Sequence, residues 1–242
     1  MRRDFVPEGN DILCEKCGYV LNGLPPEGHC PECGSPVALS TTQSPRHPPA
    51  WEAGTDRPLA RFQFTAVSAL LRPKRFFKTM TAHGDAARAA RFGRLAVLPA
   101  LLFNTKAIVM HTAVMHLSYG SPPRVVLPFI LLLTPLLVTA GWAGMYFAVV
   151  RLTTLESGYW GMRLPRDVVA RALCYNAVHV SAASLLPWGV TLLYLCMRIA
   201  DEQSGQYMTV YLYTLSAAVV IAAVYLFSVY ATSMRSLMYA NR

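Results

Sequence analysis

The sequence predicts an all-α polytopic membrane bundle of four spans, alternatively five, with a small cysteine-rich head at its N-terminus. The stretch 125–150, VVLPFILLLTPLLVTAGWAGMYFAVV, holds 26 residues without a charge, more than the ~20 that a helix needs to cross a hydrocarbon core. Charged residues make up 14% of the chain, against roughly 25% in soluble domains. Four of the six cysteines fall in the first 37 residues.

The head carries two C-x-x-C pairs, Cys14 with Cys17 and Cys30 with Cys33, twelve residues apart. Four thiolates at this spacing satisfy a tetrahedral zinc ion completely, so the predicted site is structural rather than catalytic. Two disulfides or four free thiols are the alternative. Residues 1–11 lack the apolar core of a secretory signal, so we expect the head in a reducing cytosol, where such cysteines hold metals.

The two pairs, C-x-x-C-G-Y and C-P-x-C-G, resemble the knuckles of zinc ribbons, and they also resemble rubredoxin knuckles, which hold iron. Rubredoxins have a much longer segment between their knuckles, filled with aromatic residues. Here the segment is short and its aromatic residue is Tyr19. The resemblance therefore implies a zinc ribbon at 1–37 with structural Zn²⁺, and iron is the alternative metal. His29, beside the second pair, is expected at the surface.

The charges around the head do not favour nucleic acid. Phosphate contacts need clustered cations, whereas the acidic residues here outnumber the basic ones: Glu8, Asp11, Glu15, Glu27 and Glu32 against Arg2, Arg3 and Lys16. We expect no nucleic-acid partner. Contact with a protein partner, or a clasp that helps the chain fold, fits better, because a head this short needs a metal in place of a core.

Two segments separate the head from the bundle. Residues 38–61 are rich in proline, serine and threonine, a composition typical of a disordered linker. Residues 62–94 alternate apolar groups with lysine and arginine and are broken by Pro73, which predicts amphipathic basic juxtamembrane helices. These helices would lie in the headgroup region of the membrane or pack on the cytoplasmic end of the bundle.

The bundle is predicted at 95–235, with spans at 95–117, 125–150, 172–199 and 207–234. The third span contains Pro187, and a hairpin at that point would give two pieces too short to cross the membrane. Lysine and arginine border the apolar segments, so the positive-inside rule places both termini in the cytoplasm. We expect an integral protein of a bacterial cytoplasmic membrane. Five spans would leave the C-terminal arginines outside.

Among the polar residues inside the predicted spans, the functional candidates are Lys106, His111, Asn176 and His179. An ionisable group at this depth is a functional candidate by default. Lys106 has no carboxylate at matching depth, so it is either a tolerated lysine facing the bundle or part of an ion or substrate path. Asn176 and His179 share a helix face, which is more typical of interhelical hydrogen bonds than of a catalytic pair.

Two further motifs, LLRPKRFFKTM at 70–80 and RALCYNAVHVSAASLLP at 171–187, resemble the Yip-type family over residues 64–235. The resemblance implies a compact cluster of membrane helices, usually five, with an external C-terminus, and the four-span count departs from it. Eukaryotic members act in vesicle trafficking with small GTPases. That role cannot be assigned to particular residues of this chain. A zinc ribbon on such a domain resembles uncharacterised bacterial membrane proteins.

The chain contains no HExxH, no Ser-His-Asp set and no Gly-rich phosphate loop, so we predict that it is not an enzyme. The leading hypothesis is an integral membrane protein whose cytoplasmic zinc head serves protein–protein contact or membrane organisation. The alternative is a transporter or permeability protein that uses the four polar residues inside the bundle.

Overall fold

The computed structural model describes residues 11–119, 126–160, 162, 164–200 and 207–241. For 117–119 and 126–132 it describes the backbone but not the side chains. Most of the predicted outer turn at 118–124, the acidic loop after Ala200 and the first ten residues lie outside this part. The elements, in order, are a 3₁₀ helix (Val37–Ser40), α1 (Pro58–Leu71), α2 (Pro73–Thr79), α3 (Ala86–Tyr119), α4 (Val126–Trp160), α5 (Arg166–Ala200) and α6 (Met208–Leu237).

Within the described residues, four helices, α3 to α6, are long and apolar enough to cross a membrane, as the sequence predicted. Each has between 30 and 35 residues and is therefore about 45 Å long or more, which exceeds a hydrocarbon core of about 30 Å. α5 runs through Pro187 as one helix, so the hairpin alternative for 172–199 is not observed.

The helices extend into stretches that the sequence placed in loops. The stretch 151–171, which separates the second and third predicted spans, is largely helical, because α4 continues to Trp160 and α5 begins at Arg166. Ser157 bridges the short connection by donating a hydrogen bond to the Leu164 carbonyl at 3.1 Å. The arginines on this stretch therefore stand on helix ends rather than on a free loop.

The long helices present apolar side chains outward. Exposed residues along α4 and α6 include Leu136, Leu137, Val220, Val224 and Phe227. Apolar surface this continuous does not face water on soluble monomers. The four helices accordingly have a lipid bilayer as their environment.

The chain divides into two compact units. The first contains residues 1–93, 147–176 and 229–242, that is, the head, α1, α2 and one end of each long helix. The second contains residues 94–146 and 177–228, the remaining lengths of those helices. These units cut across the predicted domain boundaries.

Within the second unit, aromatic stacking and short polar contacts hold the helices together. Tyr194 and Tyr211 stack with ring centroids 4.4 Å apart, and Val114 and Met208 are buried beside them. Asn104 donates a hydrogen bond to Ser184 at 2.8 Å. These contacts link α3, α5 and α6.

Several side chains of the predicted linker at 38–61 make specific contacts in the structure. The side chains of Arg46 and Glu52 are almost completely buried in ion pairs, and Trp51 donates its indole N–H to the Arg88 carbonyl at 2.8 Å. Prolines also fix turns in ordered chains, and these three side chains make contacts that residue counts do not reveal.

Proline sets the starts of α1 and α2. Pro58 and Pro73 each occupy the first turn of their helix, where the missing N–H costs nothing and the fixed φ suits a helix. Arg72 lies between the two helices outside the helical region. The predicted break in the 62–94 segment thus coincides with Pro73.

Candidate metal centre

The head consists of two knuckles with the same backbone pattern. In the first, the Cys14 amide bonds the Tyr19 carbonyl and the Gly18 amide bonds the Cys14 carbonyl, both at 2.8 Å. The second repeats this with Cys30 to Ser35 at 2.8 Å and Gly34 to Cys30 at 2.9 Å. Isolated antiparallel bridges close both turns, Leu13 with Val20 and His29 with Pro36. His29 is exposed, as expected.

The repeated turns bring the four predicted cysteines together. Their sulfur atoms all lie within 4.8 Å of one another, with Cys14 and Cys33 at 3.5 Å and Cys17 and Cys30 at 3.6 Å. A tetrahedron with 2.3 Å metal–sulfur bonds has edges of about 3.8 Å. All four thiols are free, and these distances are far longer than the ~2.05 Å of a disulfide, so this cluster could hold a metal ion.

The thiols differ in acidity before any metal is considered. Burial raises the pKa of the Cys14 thiol and raises that of Cys17 to about 12. Hydrogen bonds from Ser35 lower the pKa of Cys33 to about 6. Metal ligands are thiolates, so binding a divalent ion here requires protons to leave the buried thiols.

The head is fastened to the C-terminal end of the chain. Asn241 donates its amide to the Leu13 carbonyl at 2.7 Å and accepts from the Leu13 N–H at 2.8 Å. Arg46 pairs with Glu15 at 2.9 Å and donates to the Ser236 carbonyl at 3.0 Å. The first knuckle and Arg46 are therefore hydrogen-bonded to the end of α6 and to the residues that follow it.

The two knuckle glycines occupy different surroundings. Gly18 and Gly34 both have positive φ, +82° and +68°, a region that is costly for other residues. A Cβ on Gly18 would lie 2.7 Å from the Tyr239 ring, whereas one on Gly34 would meet nothing within 4 Å. Gly18 thus both permits the positive φ of the turn and leaves room for the Tyr239 ring at the C-terminal end.

We predict that Gly18→Ala destabilises the protein more than Gly34→Ala. The Gly34 change costs about 1–2 kcal/mol of backbone strain, and the Gly18 change adds the displacement of Tyr239. Denaturant unfolding in detergent, followed by tryptophan fluorescence, measures both. Combining Gly18→Ala with Tyr239→Ala removes the clash, so the two changes should cost less together than their sum. Additive costs would contradict the packing of Tyr239 on the knuckle.

The structure gives the four polar residues of the spans separate surroundings. Lys106 is exposed on α3, so it does not face the interior of its unit. His111 lies 2.6 Å from the Tyr211 hydroxyl, and His179 lies 2.7 Å from that of Tyr225. In the first unit Asn176 donates to Ser233 at 2.9 Å. Three of the four therefore fasten helices through hydroxyl partners, as interhelical hydrogen bonds do.

A buried ion pair was missed by the sequence analysis. The Glu52 carboxylate accepts hydrogen bonds from the Arg171 guanidinium at 2.9 and 3.0 Å. It also accepts one from the Tyr175 hydroxyl. Arg171, expected as a basic border residue, is instead buried. No local spacing indicates this pair, because 119 residues separate its members. The buried acid lies in the stretch whose composition predicted disorder.

No protein-family model, no curated protein and no solved structure matches the chain. The functional inference consequently rests on the contacts of its own residues.

Proposed function

We propose that the protein is a non-enzymatic integral membrane protein in which a zinc-bound head closes the cytoplasmic end of the helical bundle and presents its outer surface to a protein partner. The observation that carries this proposal is the attachment of the first knuckle to Asn241. A metal-stabilised fold fastened to the chain's own end is suited to organising the bundle. Exposed apolar groups on the head and on the 3₁₀ helix that follows it, Ile12, Tyr19 and Leu39, are suited to contact.

The same attachment supports an even number of spans. The first knuckle and the end of α6 must lie on one side of the bilayer if they share hydrogen bonds. Four crossings return the chain to its starting side, whereas five would not. The tie between Leu13 and Asn241 therefore agrees with the four apolar helices.

Zinc is the metal that the donor set favours. Four sulfur ligands in a tetrahedral arrangement suit zinc or iron, and the short segment between the knuckles favours zinc by resemblance to zinc ribbons. A closed set of four ligands leaves no position for substrate or water. Such an ion stabilises the head and performs no chemistry.

The distribution of cations supports a cytoplasmic head. All but four of the 22 lysines and arginines belong to the first unit, which also contains the head. The four exceptions are Arg94, Lys106, Arg124 and Arg198. The positive-inside rule assigns the cation-rich side to the cytoplasm, and we propose a bacterial cytoplasmic membrane as the location.

The relationship to the Yip-type family is also a proposal. It rests on the motifs at 70–80 and 171–187, and the four helices depart from that family's usual five. A transporter is the less favoured alternative, because His111, Asn176 and His179 already have hydroxyl partners and Lys106 points outward.

The metal part of the proposal is tested on the full-length protein purified in detergent. We expect one zinc ion per chain by elemental analysis, and none in Cys14→Ser/Cys17→Ser. The matched control is Cys174→Ser/Cys196→Ser, which removes the two cysteines outside the head and should retain the ion. Iron in place of zinc, or equal metal content in both variants, would contradict a zinc head.

The contact part uses the same variants in cells. A photo-crosslinking residue at Leu39 should give a discrete protein adduct in the wild type and in the Cys174/Cys196 control. The adduct should be lost in Cys14→Ser/Cys17→Ser, provided that the variant still reaches the membrane. An unchanged adduct without the metal ligands would show that the zinc fold is not the contact surface.

A further inference from the structure

The corner between α1 and α2 carries an exposed cluster of cations. Arg72, Lys74, Arg75 and Lys78 lie within seven residues of each other and all are exposed. Together with Leu71, Pro73 and Thr79 they line a shallow depression of about 510 Å³. We call these four residues the basic corner.

The charge of the basic corner is not neutralised by any ion pair among the described residues. Arg46 and Arg171 behave differently, since each is buried against its own carboxylate. Four adjacent cations repel one another at short range, so an anionic ligand at this corner would relieve a repulsion that the fold leaves in place.

Helix α1 presents an apolar stripe next to the basic corner. Phe64, Val67 and Leu71 are 67%, 54% and 70% exposed, and their i, i+3, i+7 spacing places them on one helix face. The opposite face is the packed one, where Thr65 and Ala69 are buried. The exposed stripe therefore does not belong to the core of its unit.

The packing of α1 sets its depth relative to the apolar part of α3. The rings of Phe62 on α1 and Phe92 on α3 have centroids 4.9 Å apart, and Trp51 bonds both Thr65 and the Arg88 carbonyl. Phe92 precedes Leu95, where the predicted span begins, by three residues. That distance is about 4.5 Å along a helix, so the residue of α3 that α1 contacts lies about one turn before the predicted start of the span.

We propose that the basic corner is a binding site for the headgroup of an anionic phospholipid in the cytoplasmic leaflet, with the apolar stripe of α1 seated among the adjoining acyl chains. Clustered lysine and arginine next to a membrane helix attract anionic lipid, and an amphipathic helix buries its apolar face at the headgroup boundary. An exposed apolar stripe in which Val67 and Leu71 accompany a single aromatic ring suits acyl chains better than stacked bases. It is independent of the metal in the head.

The test uses full-length protein in detergent micelles and mass spectrometry of intact protein–lipid complexes. The probes are dihexanoyl-phosphatidylglycerol and the zwitterionic dihexanoyl-phosphatidylcholine. We expect the anionic lipid to bind more tightly than the zwitterionic one. Each cation that contributes should raise the affinity by about fivefold. Changing Arg72, Lys74, Arg75 and Lys78 to glutamine should reduce phosphatidylglycerol binding to the phosphatidylcholine level. Arg72→Lys/Arg75→Lys retains the charge and should change the affinity by no more than about threefold.

Three results would overturn the proposal. The first is equal affinity of the wild type for the two lipids, and the second is an unchanged preference in the glutamine variant. The third is displacement of phosphatidylglycerol by millimolar inorganic phosphate, which would identify a site for the free anion. Zinc content and unfolding midpoint, measured on each variant, confirm that the fold is intact when a loss of lipid is scored.

Discussion

Replacing Arg171 with methionine is expected to lower the free energy of unfolding by about 3–5 kcal/mol. The change leaves the Glu52 carboxylate buried without its counter-ion. The side chains of Glu52 and Arg171 are 3% and 2% exposed, so water cannot replace the lost guanidinium. Removal of one member of a buried pair costs this much because the remaining charge has already lost its hydration.

The surroundings of the pair explain why its loss should affect more than one element. Arg171 on α5 also donates to the backbone carbonyls of Thr81 and Ala82. Glu52 further accepts from the Asp85 amide at 3.1 Å and from the Tyr175 hydroxyl. The pair thus ties three segments of the first unit: the stretch before α1, the connection between α2 and α3, and the start of α5.

Denaturant unfolding of the purified protein in detergent measures the cost. Glu52→Leu/Arg171→Leu, which removes both charges, should recover much of the loss, because no charge is left buried. Asp56→Asn is the matched control, since it removes the exposed partner of Arg61 and should leave the midpoint unchanged. If Arg171→Met is no more damaging than Asp56→Asn, the pair does not hold these segments together.

The sequence predicts the features that depend on local pattern. The four spans follow from uninterrupted apolar length, and the cysteine cluster follows from two short repeats that each fold as one turn. The break between α1 and α2 follows from Pro73. In each case the residues that determine the feature are neighbours in the chain, so their spacing carries the information.

The contacts that fix the first unit are not local and could not be predicted in this way. Leu13 meets Asn241 across 228 positions, and Glu52 meets Arg171 across 119. A single sequence contains no signal that pairs them. The composition of residues 38–61 likewise gives no sign of the contacts that Arg46, Trp51 and Glu52 make.

The helical periodicity of the sequence also did not predict which way Lys106 faces. Its position in the middle of an apolar segment identifies an unusual residue but not the side that it faces. In the structure it shares an exposed face with Leu98 and Leu102, while Asn104 points to Ser184. Which face of α3 packs is decided by the neighbouring helices, and their placement is not encoded within α3.

Removing the zinc ion proposed above is expected to unfold the head while leaving the four long helices intact. Around the four cysteines the buried apolar groups are Leu21 and Val37, with Leu24 partly buried, too few to hold about thirty residues in place. Structural zinc sites of this kind contribute roughly 10–16 kcal/mol of apparent binding energy, which is folding energy for a small domain. The spans have their own packing and do not depend on it.

Hydrogen exchange with mass spectrometry, with and without a chelator, measures this effect by region. Amides at 11–40 should lose their protection, and those at 237–241 should follow because Asn241 and Tyr239 lose their partners on the first knuckle. Amides within α3 to α6 should be unchanged, and added zinc should restore the original pattern. A chelator already saturated with zinc is the control. Protection that persists at 11–40 after the metal has been removed would mean that the contacts with the C-terminal end, rather than the ion, hold the head together.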